Sequence, residues 1–202
     1  MNKIFTILFI LSLSSIIYSE ESVVENIKSN YDLVMARNNW NEIKIYISDL
    51  RKRNYTGIER SICNVFEGSL LSKLADISIL FWDKIYYINE GIKKMRSGMS
   101  EIMQDTSNSL SEKDLLTLHL IYGITSGYIP DVFQSKKVSI QELETAINMN
   151  GFDLVDKKVQ VETYILLSEG YKKIGNNEKS SEFQSKAEKL DNKLYYMYKN
   201  KK

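Results

Sequence analysis

Side chains with obvious chemistry are scarce in this 202-residue chain, which has one histidine, His119, and one cysteine, Cys63. A lone imidazole and a lone thiolate cannot supply a three- or four-ligand metal site, so no metal and no cofactor are expected. His119 reads either as a single acid or base, or as a polar residue bonding a backbone carbonyl at a helix interface. Cys63 reads either as a reactive thiol or intermolecular disulfide, or as a small apolar residue buried on a helix. No serine sits in a glycine-flanked elbow that would present a nucleophile. Gly123-Ile124-Thr125-Ser126-Gly127 lacks the lysine and preceding strand of a phosphate loop and reads as a loop or kink. The expectation is a non-enzyme with no catalytic residues.

Composition limits what can position these residues. Twenty-seven Lys and Arg balance twenty-six Asp and Glu, and a net charge of +1 gives no overall field to draw nucleic acid or an anionic membrane. With 43% hydrophobic residues the chain can bury one core, while one Pro and nine Gly are too few for the turns of a sandwich or barrel. A single all-α domain follows.

The first residues read as an address rather than as part of that domain. Lys3 precedes an apolar run from Ile4 to Ile17, and Tyr18-Ser19 leads into acidic Glu20 and Glu21. This is the pattern of a secretory signal peptide, residues 1–19, cleaved after Ser19, with an uncleaved anchor as the alternative. No cysteine follows the run, so no lipobox is present. Residues 20–202 are then expected in the periplasm or outside the cell, with no stable membrane span.

Within 20–202 the apolar spacing predicts about eight helices in four hairpins. Ser22-Val23-Val24-Glu25 is a capping box, and Val24, Ile27, Tyr31 and Val34 follow at helical spacing to about Arg37. Asn38-Asn39 breaks the helix, and Trp40, Ile43, Ile47 and Leu50 form the stripe of the next. A third helix carries Ile62, Phe66, Leu70 and Leu74, and a fourth carries Phe81 or Trp82, Ile85, Ile88, Ile92 and Met95 or Met99. Gln104 to Ser109 is a loop, Ser111-Glu112-Lys113-Asp114 caps a fifth helix, and Gly123 to Phe133 interrupts regularity around Pro130. Ser139 caps a short helix through Ile147. Two long helices, about Asp156 to Ile174 and Glu178 to Tyr198, turn at Gly175.

That last pair carries a resemblance. Tyr164, Leu167, Ser168, Tyr171, Gly175, Ser180, Ala187, Leu190 and Asp191 fall at the spacing of a tetratricopeptide repeat, with small residues where helices approach and Gly175 at the reversal. Gln184 stands where the usual aromatic would, with Phe183 one residue early, and Asn192 replaces the usual proline. Phe66 to Leu71, Trp82 to Tyr87, Asn89 to Ile92, and His119 followed by Pro130 and Phe133 are similar to segments of uncharacterised bacterial exported proteins with such helices. The resemblance implies a tetratricopeptide-like α-solenoid whose concave surface presents Glu162, Ile165, Glu169, Lys172 and Lys173 to a protein or peptide partner.

Other constellations could bind. Phe81, Trp82, Tyr86 and Tyr87 either line a ligand pocket or pack in the core and at its rim. The loop from Tyr128 to Phe133 is either an exposed partner patch or tucked under its neighbours. The tail from Lys193 to Lys202 mixes tyrosines with lysines and is either a membrane or acidic-partner surface or the cap of the last repeat. The expected function is an exported, non-enzymatic scaffold binding a protein or peptide partner in the bacterial envelope. The alternative is a periplasmic binder of an apolar or organic-acid solute in a pocket formed by Trp82, Tyr86, Pro130 and Phe133. A closed apolar cavity there would favour the solute binder; an open polar groove lined by Glu169 and Lys172 would favour the scaffold.

Overall fold

Two linked serine caps, Ser22 and Ser111, start the helices that define one wall of the molecule. The computed structural model describes residues 22–107 and 110–199; the expected signal peptide, residues 1–19, lies outside them. The described residues form nine α-helices and two short 3-10 turns, with no strand. The α-helices are α1 Val23–Arg37, α2 Trp40–Lys52, α3 Gly57–Ile77, α4 Phe81–Gln104, α5 Glu112–Tyr128, α6 Ser135–Ile147, α7 Lys157–Lys173, α8 Asn177–Leu190 and α9 Asn192–Lys199.

Local chemistry sets most boundaries. Ser22 Oγ accepts the Glu25 amide at 3.1 Å, and Asn39 Oδ1 accepts those of Asn41 and Glu42 at 3.0 and 3.2 Å. Each bond satisfies an amide that the first turn would leave unpaired. Asn38 takes the left-handed conformation that ends α1, and Gly175, at φ +82°, does the same between α7 and α8.

Successive helices pair antiparallel. Tyr46 Oη on α2 donates to the Ile27 carbonyl on α1 at 2.8 Å. On α4, Gly91 faces Gly68 and Ser72 of α3, and Gly98 faces Ser61, so the pairing runs in opposite directions and brings the backbones close. Ser168 on α7 donates to the Ser180 carbonyl on α8 at 2.8 Å. Tyr171 stacks on Phe183 with ring centroids 5.8 Å apart.

One main core fills the space between α1 and α5, centred on Phe66, Leu70, Met95 and Leu118, and a second, around Leu143, Leu167 and Phe183, joins α5 to α8. Within the first lies Glu67, fully buried. Arg51 of α2 donates to its Oε1 at 2.7 Å, and Lys94 of α4 lies 3.0 Å from Oε2 as an ion pair without hydrogen-bond geometry. One carboxylate thus clamps three helices, and two cations offset its burial.

Four expectations about elements change. Gly123 and Gly127 do not interrupt α5: they lie inside it, where a bare backbone meets Leu143 of α6, and Ser139 and Leu166 respectively. Ser139 does not cap α6, which starts at Ser135; its hydroxyl donates to the Gly123 carbonyl at 2.8 Å. The expected last helix is split at Asp191, whose carboxylate accepts the Leu194 amide at 2.9 Å and starts α9. Trp40 is not in the core stripe of α2, because its ring lies at the surface under Lys44 Nζ, 3.9 Å from the ring centroid.

Candidate functional site

Helices α1, α3, α4, α5 and α7 face a common groove of about 1200 Å³. Its floor is apolar, built from Leu116, Leu120, Ile121 and Ile124 of α5 together with Ile88, Val159 and Ile129. Across the floor a chain of hydroxyls ties three helices: Tyr31 Oη of α1 meets Ser69 Oγ of α3 at 2.7 Å, and Ser69 meets Thr125 Oγ1 of α5 at 2.7 Å. Each polar group there has a partner, so the floor can face an apolar ligand without stranding a donor.

The rim is charged. On the α1 and α3 side, Lys28 pairs with Asp32, and Lys73 pairs with Asp76 at 2.8 Å. The rest of the rim carries Glu112, Asp156 and Glu162 together with Lys84 and Lys113. Asn150 holds Glu112 through its backbone and side-chain nitrogens at 3.1 and 3.2 Å.

Glu162 differs from the other rim acids. Tyr128 Oη donates to its Oε1 at 2.5 Å and Tyr198 Oη to its Oε2 at 3.2 Å. Like Glu112 and Asp156, it has no ion pair among the described residues; the two phenols set it apart. Burial first, and then the Glu162 charge, hold both phenols well above the ordinary tyrosine value, so each stays a hydroxyl donor. The arrangement is a carboxylate held by two phenol hydroxyls at a groove edge, and its charge suits an ammonium or guanidinium group.

Of the residues expected on a concave face, Glu162 alone lines the groove. Ile165 is buried against Val161 and Ala187, Glu169 is half-buried, and Lys172 and Lys173 are exposed, with Lys173 Nζ 3.2 Å from Asp131. The expected pocket of Trp82, Tyr86, Pro130 and Phe133 is not assembled. Trp82 and Tyr86 project to solvent, Pro130 borders the groove, and Phe133 lies in a separate depression with Ile92 and Arg96. The four diverge because Trp82 and Tyr86 lie on the exposed face of α4, whereas Lys84 and Ile88 of the same helix face the groove.

His119 is buried at the α5–α6 interface, where Nδ1 lies 2.7 Å from Glu142 Oε2; the partner is a carboxylate rather than a backbone carbonyl. Cys63 is a buried free thiol pushed up to about 11, chiefly by desolvation. No group of three or more His, Cys, Asp or Glu able to hold a metal occurs among the described residues.

The groove residues of α1, α3 and α5 escaped the sequence reading because their apolar positions resemble core positions of any amphipathic helix. The repeated choice of Ser69, Ser72, Thr117 and Thr125 on otherwise apolar faces was the signal available for them. No family model, no curated protein and no solved structure matches this chain.

Proposed function

We propose that this chain is an exported, non-enzymatic scaffold of tetratricopeptide-like stacked hairpins that holds a protein or peptide segment in its groove within the bacterial envelope. The observation that supports this reading is a long groove shared by five helices, α1, α3, α4, α5 and α7, together with the turns after α5 and α6, which gives an extended surface rather than a closed cavity. Rigid helices lose little entropy on binding, which favours capture of a chain segment. The apolar floor calls for an apolar face on that segment, and Glu162 calls for a Lys or Arg beside it. Export rests on the sequence of residues 1–19.

A second reading, a periplasmic binder of an apolar solute, draws support from the continuous apolar floor. The volume of about 1200 Å³ exceeds the roughly 300–1,000 Å³ typical of small-molecule pockets, which favours the longer ligand.

The test is a photo-crosslinking residue placed at Ile124 on the floor or at Lys137 on the outer side of α6, in cells making the full chain. A protein or peptide adduct from Ile124 alone, weakened by Glu162→Gln, is the expected result. Equal adducts at both positions would overturn the reading, as would none at Ile124 together with a copurifying small molecule.

A further inference from the structure

The tip of the α3–α4 hairpin, the end of its turn and the start of α4, holds four consecutive large apolar side chains in water: Ile79 is 96% exposed, Leu80 63%, Phe81 64% and Trp82 77%. Single exposed apolar residues are ordinary, but a contiguous run marks a surface that something covers. Helix length explains why the run projects. Ser69 and Thr125 are hydrogen-bonded at one level, yet α3 continues eight residues beyond Ser69 and α5 only three beyond Thr125. At 1.5 Å per residue α3 runs about 7.5 Å further from that level than α5 does.

We propose that this tip inserts into the interfacial layer of a lipid bilayer and tethers the groove to a membrane surface. Four side chains of this size fall short of the roughly 800 Å² each partner contributes to a stable protein interface. A bilayer needs no complementary shape: each apolar side chain gains as it leaves water, and an indole sits well where its ring is apolar and its N–H wet. Phe81 and Trp82 pack edge to face, ring centroids 5.5 Å apart, so the aromatic pair is already ordered. Insertion is shallow, since no helix among the described residues is long and apolar enough to cross a membrane. Asp83 and Lys84 follow with opposite charges, so neutral lipid suffices.

The experiment uses the full chain carrying Trp40→Phe, which leaves Trp82 as the sole tryptophan and makes the readout independent of any anchoring by residues 1–19. With phosphatidylcholine vesicles, Trp82 emission should shift to the blue and be quenched by brominated lipid. Adding Leu80→Ser and Phe81→Ser should lower that quenching and weaken partitioning of Trp82 by about tenfold or more, with circular dichroism unchanged. Unquenched Trp82 overturns the proposal, whether or not the vesicles sediment the chain. So does a blue shift that follows protein concentration without lipid, which would assign the tip to a second copy.

Discussion

Ser22 and Asp114, 92 positions apart, join the first turns of α1 and α5 through a 2.7 Å hydrogen bond from Ser22 Oγ to Asp114 Oδ1. Asp114 Oδ2 accepts Ser111 Oγ at 2.8 Å, and each serine in turn accepts an amide of its own helix. A single buried carboxylate therefore serves two helix N-termini, where unpaired amides and the helix dipole both favour negative charge. Glu25 and Lys113 pair beside it at the surface. Because α1 and α5 border the groove, this link also fixes the groove's width at that end.

Asp114→Ala should therefore cost about 1–3 kcal/mol, because it removes two cap-linked bonds together with the charge. For a chain of this length that is a fall of about 2–4 °C in Tm per kcal/mol. Glu25→Ala, which breaks only the exposed pair, should cause a smaller change that fades in high salt. Thermal melts of both variants check the contrast, and an Asp114→Ala variant melting like the parent would contradict it.

Gly91→Ala should destabilise the chain although alanine is the better helix former. A methyl at Gly91 would meet Ser72 Oγ at 2.5 Å and the Gly68 carbonyl at 2.6 Å, and a carbonyl cannot step aside as a flexible side chain can. The expected net loss is about 1–3 kcal/mol against a propensity gain of about 1. Urea denaturation gives the sign, and a stabilised variant would show that α3 and α4 are further apart than described.

Stability should fall in alkaline solution. Burial lifts Cys63 from 9.0 to about 11 and Tyr46 from 10.0 to about 12, in each case by favouring the neutral form. The unfolded chain releases these protons first, so it binds fewer protons than the fold between the two values, and the stability difference shrinks as pH rises. The contribution is fully present below about pH 9 and is lost progressively toward about pH 12. Cys63→Ala should remove the lower part of this dependence. Urea midpoints across the window measure it, and a flat profile would refute it.

The sequence determined the all-helical class and most boundaries, because caps and turn residues act over three or four positions. Ser22 and Ser111 capped where the residue pattern placed them, Asn38 and Asn39 broke α1 from α2, and Gly175 turned the last pair. It also anticipated the close approach at Ser168 and Ser180, since small residues at that spacing admit a neighbouring backbone. It misplaced Gly123 and Gly127 because a glycine reads alike whether it ends a helix or lets another helix lie against it; only Leu143 and Leu166 decide between these.

What tertiary structure decided was which apolar faces meet one another and which meet water. Ile88, Leu120 and Ile124 repeat like core residues, and Ile88 and Leu120 are indeed buried, yet all three also line the groove. Phe81 and Trp82 repeat the same way, yet they reach solvent because their hairpin is longer than the ones beside it. Periodicity reports that a face is apolar, whereas its cover depends on helix lengths and long-range links such as Ser22 to Asp114, which local spacing does not encode.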